Sequence, residues 1–157
     1  MRLLLVAFMF FAPGLAQAGS WSSDTFHQAF NAAAKKAGVS MSLRKISCDA
    51  DRDCRFALGE NVRAEARGGD ELDEVAFYIP ASSEQAQRRR AALEAGRILG
   101  VLVGAFDDRT AAQRSAMVAT LLDQATGPTR RGEQRLERGV IVLSATQPDS
   151  FRVYLTR

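Results

Sequence analysis

The sequence is short of the residues that carry most protein chemistry. It has one histidine, His27, and two cysteines, Cys48 and Cys54, in 157 residues. That supply is too small for a closed zinc site, and five residues separate the cysteines where a redox pair needs two. There is no nucleophile-elbow pattern and no glycine-rich phosphate loop after a strand. No Ser-His-Asp spacing is legible either, because triads assemble in space and not along the chain. Lysine is scarce, since arginine supplies 18 of the 21 basic residues. Internal repeats, low-complexity stretches and composition breaks are missing, so nothing divides the chain into domains.

Only one apolar run is long, and it opens the chain. Met1 and Arg2 form a basic start, Leu3 to Ala12 are continuously apolar, Pro13 and Gly14 interrupt the run, and Ala16 and Ala18 stand three and one before a cleavage point. Basic start, apolar core and A-x-A end together predict a secretory signal peptide cut after Ala18. The run is about half the roughly 20 residues a bilayer span requires, so no membrane span is expected in the mature chain. Cleavage leaves Gly19–Arg157, 139 residues, enough for one domain with a real core. Its 20 basic and 18 acidic residues nearly balance, which gives no reason to expect nucleic-acid binding. In an oxidising compartment, periplasmic or extracellular, Cys48 and Cys54 are expected to form a disulfide across a hairpin tip.

Period 3.6 and period 2 alternate along the rest. A helix is expected near Asp24–Ala37, with Thr25 and Gln28 as a capping box and Phe26, Phe30, Ala33 and Ala37 on its apolar face. Val39, Met41 and Leu43 alternate, and Ile46 and Cys48 resume one step out of phase, which predicts a bulge near Arg44–Lys45. Cys54–Leu58, Val62–Arg67 and Val75–Pro80 read as three further strands joined by short turns. Ser82 with Gln85 and Thr110 with Gln113 predict capping boxes for two more helices. The first buries Ala91, Ala92, Ala95, Ile98, Leu99, Leu102 and Phe106; the second, ending near Ala125, buries Ser115, Val118, Leu121, Leu122 and Ala125. Gly96, Gly100 and Gly104, four apart, are expected to serve close packing. Thr129–Gly139 reads as a basic loop, Val140–Ala145 as a central strand, Gln147–Ser150 as a turn, and Phe151–Thr156 as the last strand. The expected fold is α+β in the order α-ββββ-αα-ββ, one antiparallel sheet of about six strands with helices on its dry face.

Few residues offer chemistry. Asp49, Asp51, Asp53 and Glu60 stand at the first, third, fifth and twelfth positions of a calcium loop, but Cys54 takes the place of the required glycine, and the flanks are strands. A solvated acidic turn is the stronger reading, with a calcium-stabilised hairpin at Asp49–Asp53 as an alternative. His27 would centre any hydrolase-type site. Arg88, Arg89 and Arg90, and Arg130 to Arg138, form clusters that fit anionic groups, with Glu84, Glu94, Glu133 and Glu137 near enough in sequence to neutralise them. The alternation also places Arg55, Arg63, Glu65, Arg67, Tyr78, Arg152 and Tyr154 on the open sheet face, where arginine and tyrosine favour protein contacts. No metal, cofactor or catalytic residue is assigned. The expectation is an exported, non-catalytic binding module meeting an envelope protein or an anionic envelope component.

Overall fold

The computed structural model describes residues 21–145 and 150–157. The proposed signal segment, residues 1–18, and the turn residues Gln147 to Asp149 lie outside them. Helix α1 (Phe26–Lys36) leads into four strands, β1 (Leu43–Cys48), β2 (Cys54–Leu58), β3 (Val62–Arg67) and β4 (Glu74–Pro80). Helices α2 (Gln85–Phe106) and α3 (Ala111–Thr126) follow, and then β5 (Arg131–Leu136), β6 (Gly139–Ser144) and β7 (Ser150–Thr156). All strands join one antiparallel sheet of seven, in the order β1-β2-β3-β4-β7-β6-β5.

The α+β class, the single antiparallel sheet and the one-sided helix layer are as expected. The seventh strand is the difference. The stretch read as a basic loop is β5, paired residue for residue with β6 from Arg131↔Ser144 to Leu136↔Gly139. Its period-two pattern is hard to see because one inward position is Gly132. That glycine is required there: a Cβ would sit 2.7 Å from the Leu121 carbonyl oxygen and 3.0 Å from the Leu121 Cα. Backbone contact between α3 and β5 thus replaces the side chain that would have marked a strand.

The helices lie side by side on one face, α1 over β1, α2 over β4 and β7, and α3 over β5 and β6. Phe26 and Phe30 of α1 pack against Phe77, with Phe56 beside Phe26, and Ile98, Leu99 and Leu102 of α2 are buried in the same core. The apolar face of α1 ends on Ala34 and leaves Ala37 exposed. In α3 Met117 is buried, whereas Ser115 faces solvent.

Local signals fared unevenly. Thr110 and Gln113 form the expected reciprocal capping box at α3. Thr25 makes no side-chain cap; its hydroxyl pairs with Ser22 Oγ at 2.6 Å instead. The helix α2 starts after Glu84, and Ser82 Oγ accepts from the Glu84 N–H at 3.2 Å, so no capping box forms there. The β1 bulge falls between Lys45 and Ser47, and it turns Ile46 outward to 51% exposure instead of into the core. Beside it, Cys48 and Cys54 stand opposite one another and are disulfide-bonded.

Of the three helical glycines, only Gly96 packs closely, with a Cβ position 3.3 Å from Leu122 Cδ1. A Cβ at Gly100 or Gly104 would meet nothing within 4 Å, so the packing expectation fails at both. The start of the described chain is tied down firmly. The Leu72 N–H donates to Trp21 O at 2.7 Å, and Ser23 Oγ donates to the carbonyls of Arg52 and Gly69.

Candidate functional site

The open face of the sheet is built from the alternate residues that point away from the helices. Pairing aligns them in rows across the strands. In one row Arg63 of β3 stands opposite Tyr78 of β4, which stands opposite Arg152 of β7; Ser144 and Arg131 continue it through β6 and β5. The next row runs Arg55, Glu65, Ala76, Tyr154, Val142, Glu133. A third runs Arg67, Glu74, Thr156, Val140, Arg135. All six residues proposed for this surface, Arg55, Arg63, Arg67, Tyr78, Arg152 and Tyr154, therefore share one face. Reasoning from sequence missed the contribution of β5, although Arg131, Glu133 and Arg135 alternate visibly.

This face is not uniformly wet. Ala76 and Ala57 are only 1% and 4% exposed, and Val142 and Ser144 are also buried. Ala57, Ala76, Val142 and Ser144 are short beside the arginines and tyrosines on the neighbouring strands of the same rows, and long amphipathic side chains cover such positions. At the centre the Arg152 guanidinium carbon sits 5.4 Å from the centroid of the Tyr78 ring, within cation–π range. Arg152 Nη1 donates to the Tyr154 hydroxyl at 3.3 Å, while its buried Nε–H has no acceptor among the described residues. Burial, followed by the nearby charge of Glu65 and the Tyr154 phenol, pushes the Tyr78 hydroxyl above its ordinary pKa. The hydrogen bond that Arg152 donates to the Tyr154 oxygen raises the Arg152 pKa above its ordinary value.

Charge on the face is unevenly matched. Glu65 lies 3.9 Å from Arg55 and 3.4 Å from Arg67, Glu74 lies 3.8 Å from Arg67, and Glu133 lies 3.1 Å from Arg131. Every carboxylate in the three rows thus has an arginine. The reverse does not hold: among the described residues no carboxylate comes within 4 Å of Arg63, Arg152 or Arg135. Arg63 Nη1 donates only to the carbonyls of Glu60 and Val62.

The other sequence candidates are dispersed. His27 stacks on Phe56 on the helix side of the sheet, with ring centroids 5.8 Å apart, and its buried Nδ1 has no partner among the described residues. It does not line the open cavity of about 570 Å³ between the β2–β3 turn, the end of β4 and the first turns of α2, where Glu60, Gln87, Arg90 and Glu94 are found. Asp49 Oδ1 accepts from the N–H groups of Asp51 and Asp53, both at 3.0 Å, which spends that carboxylate on holding its own turn. Arg52 pairs with Asp70 and Asp24. Glu60 stands beyond the other end of β2, about 20 Å away along the strand. Among the described residues no group of three or more His, Cys, Asp or Glu could hold a metal ion. The neutralisation expected of the arginine clusters is partial: Glu133 pairs with Arg131, but Glu94 pairs with Arg97 and Glu84 bonds to Gln87.

Comparison with known proteins finds no family model, no curated protein and no solved structure that matches this chain.

Proposed function

We propose that the chain is an exported, non-catalytic binding module of the cell envelope, and that it meets its partner through the open face of the sheet. The observation that carries this reading is the row Arg63, Tyr78, Arg152. Three residues of the types most favoured at contact centres stand side by side on adjacent strands, and neither guanidinium has a carboxylate partner among the described residues. Seven strands make the face about 29 Å wide, which is of the order needed for an interface burying about 800 Å² per partner. The contacts of Arg152 with Tyr78 and Tyr154, and of Arg63 with the Glu60 and Val62 carbonyls, hold both side chains before contact, which lowers the entropic cost of docking.

Export rests on the Met1–Ala18 pattern, and the Cys48–Cys54 disulfide is compatible with an oxidising compartment. The reading is tested by capture from envelope extracts with the mature chain as bait. Arg63→Glu and Arg152→Glu should each abolish capture of the partner held by the unaltered chain. Equal capture by both variants, with unchanged thermal melts, refutes the docking role of this face.

A further inference from the structure

Resting on the docking role proposed above, we infer that the occupant of this face is an acidic protein segment that crosses the strands and presents carboxylates to Arg63 and Arg152. Neighbouring strands lie about 4.8 Å apart, so Arg63 and Arg152, two strands apart, are rooted about 10 Å from one another with Tyr78 between them. Both forks lack a carboxylate within the described residues, and a planar guanidinium takes a carboxylate through two parallel hydrogen bonds. The charge excess of the face lies in these groups, in Arg135 and in Arg44, which stands in the row of Arg63 across Ala57.

The same rows argue against a dense polyanion. Glu65, Glu74 and Glu133 are interleaved with the arginines across β3, β4 and β5, so a membrane of anionic headgroups or a polysulfated glycan would set negative charge against negative charge at each of them. A polypeptide can place its carboxylates over Arg63 and Arg152 and leave neutral atoms over Glu65. A short peptide with two glutamates separated by prolines is stiff and extended, which makes it a well-defined dicarboxylate probe of the two forks.

The test uses the oxidised, nitrogen-15-labelled chain Gly19–Arg157 and a blocked peptide Gly-Glu-Pro-Pro-Glu-Gly as probe. Saturable shifts are expected at the amides of Arg63, Tyr78 and Arg152 and at the Arg152 Nε–H. The same peptide with glutamine for both glutamates should leave them unmoved. Arg63→Gln and Arg152→Gln should each weaken binding about tenfold. Arg63 is the cleaner site, because its guanidinium touches only turn carbonyls and its loss does not disturb the tyrosines. Equal binding of the glutamine peptide overturns the carboxylate chemistry. Shifts on this face with phosphatidylglycerol-containing vesicles, and none with the peptide, overturn the protein segment but leave the docking face standing. If neither probe moves these signals and envelope capture is indifferent to Arg63→Glu and Arg152→Glu, both proposals fall together.

Discussion

Tyr78 shows how far a single residue on a nominally wet face can be removed from water. Burial raises its pKa above the ordinary value of 10.0, and the charge of Glu65 adds to the effect. The folded chain then keeps the phenolic proton at a pH where the unfolded chain has lost it. That difference contributes stability in full below pH 10, and the contribution is lost as pH rises through the folded-state value. Ring-carbon chemical shifts distinguish Tyr78 from Tyr154, the only other tyrosine. The Tyr78 midpoint should lie above 10 and fall in Glu65→Gln, while remaining elevated because burial is the larger cause. An unmoved midpoint would show that Glu65 does not sense the phenol. None of this was legible in sequence, which gave the face of Tyr78 but not the neighbour across the strand.

At the scale of elements, patterns with a strict period read correctly and patterns that depend on one hydrogen bond did not. Phe26 and Phe30, the apolar stripe of α2, and the alternation in β2, β3, β4 and β7 all face the core as their spacing implies. Burial acts on every residue of such a face, so the signal is redundant. A capping box depends on a single rotamer, and only one of three sequence matches formed it. Thr110→Ala should therefore cost about 1 kcal/mol, whereas Thr25→Ala and Ser82→Ala should each cost clearly less, measured by urea denaturation. The glycines divide in the same way. Gly100→Ala and Gly104→Ala add a methyl where nothing lies within 4 Å and improve helix propensity, so each should stabilise by up to about 1 kcal/mol. Gly132→Ala drives a Cβ into the α3 backbone at Leu121 and should destabilise by about 1–3 kcal/mol. Strand β5 escaped notice because that glycine interrupts the only inward-facing row it has.

For the whole molecule, the disulfide and the edges of the sheet belong together. Cys48–Cys54 closes a short loop at the tip of the hairpin that forms one edge, and its removal as Cys48→Ser with Cys54→Ser should cost about 2 kcal/mol without changing the fold. The bulge at Ile46 and the exposed Lys45 spoil that edge for pairing with a further strand, while α3 packs against β5 at the other. What remains accessible is the flat of the sheet, where Arg63 and Arg152 stand without a carboxylate among the described residues. If export is correct, the chain recovered from the periplasm or medium should begin at Gly19, a result that terminal sequencing gives directly.

The order of the strands carries one more consequence. The strand nearest the C-terminus, β7, lies in the middle of the sheet, between β4 and β6, and supplies Phe151, Val153 and Leu155 to the core. Without it, β1 to β4 and β5 to β6 are two ribbons that no strand pairing joins. A chain threading through a narrow conduit in an N-to-C direction would therefore be unable to lock until Thr156 had emerged. Under the proposed export, such late closure would leave the polypeptide pliable during passage, with the final strand as its fastening.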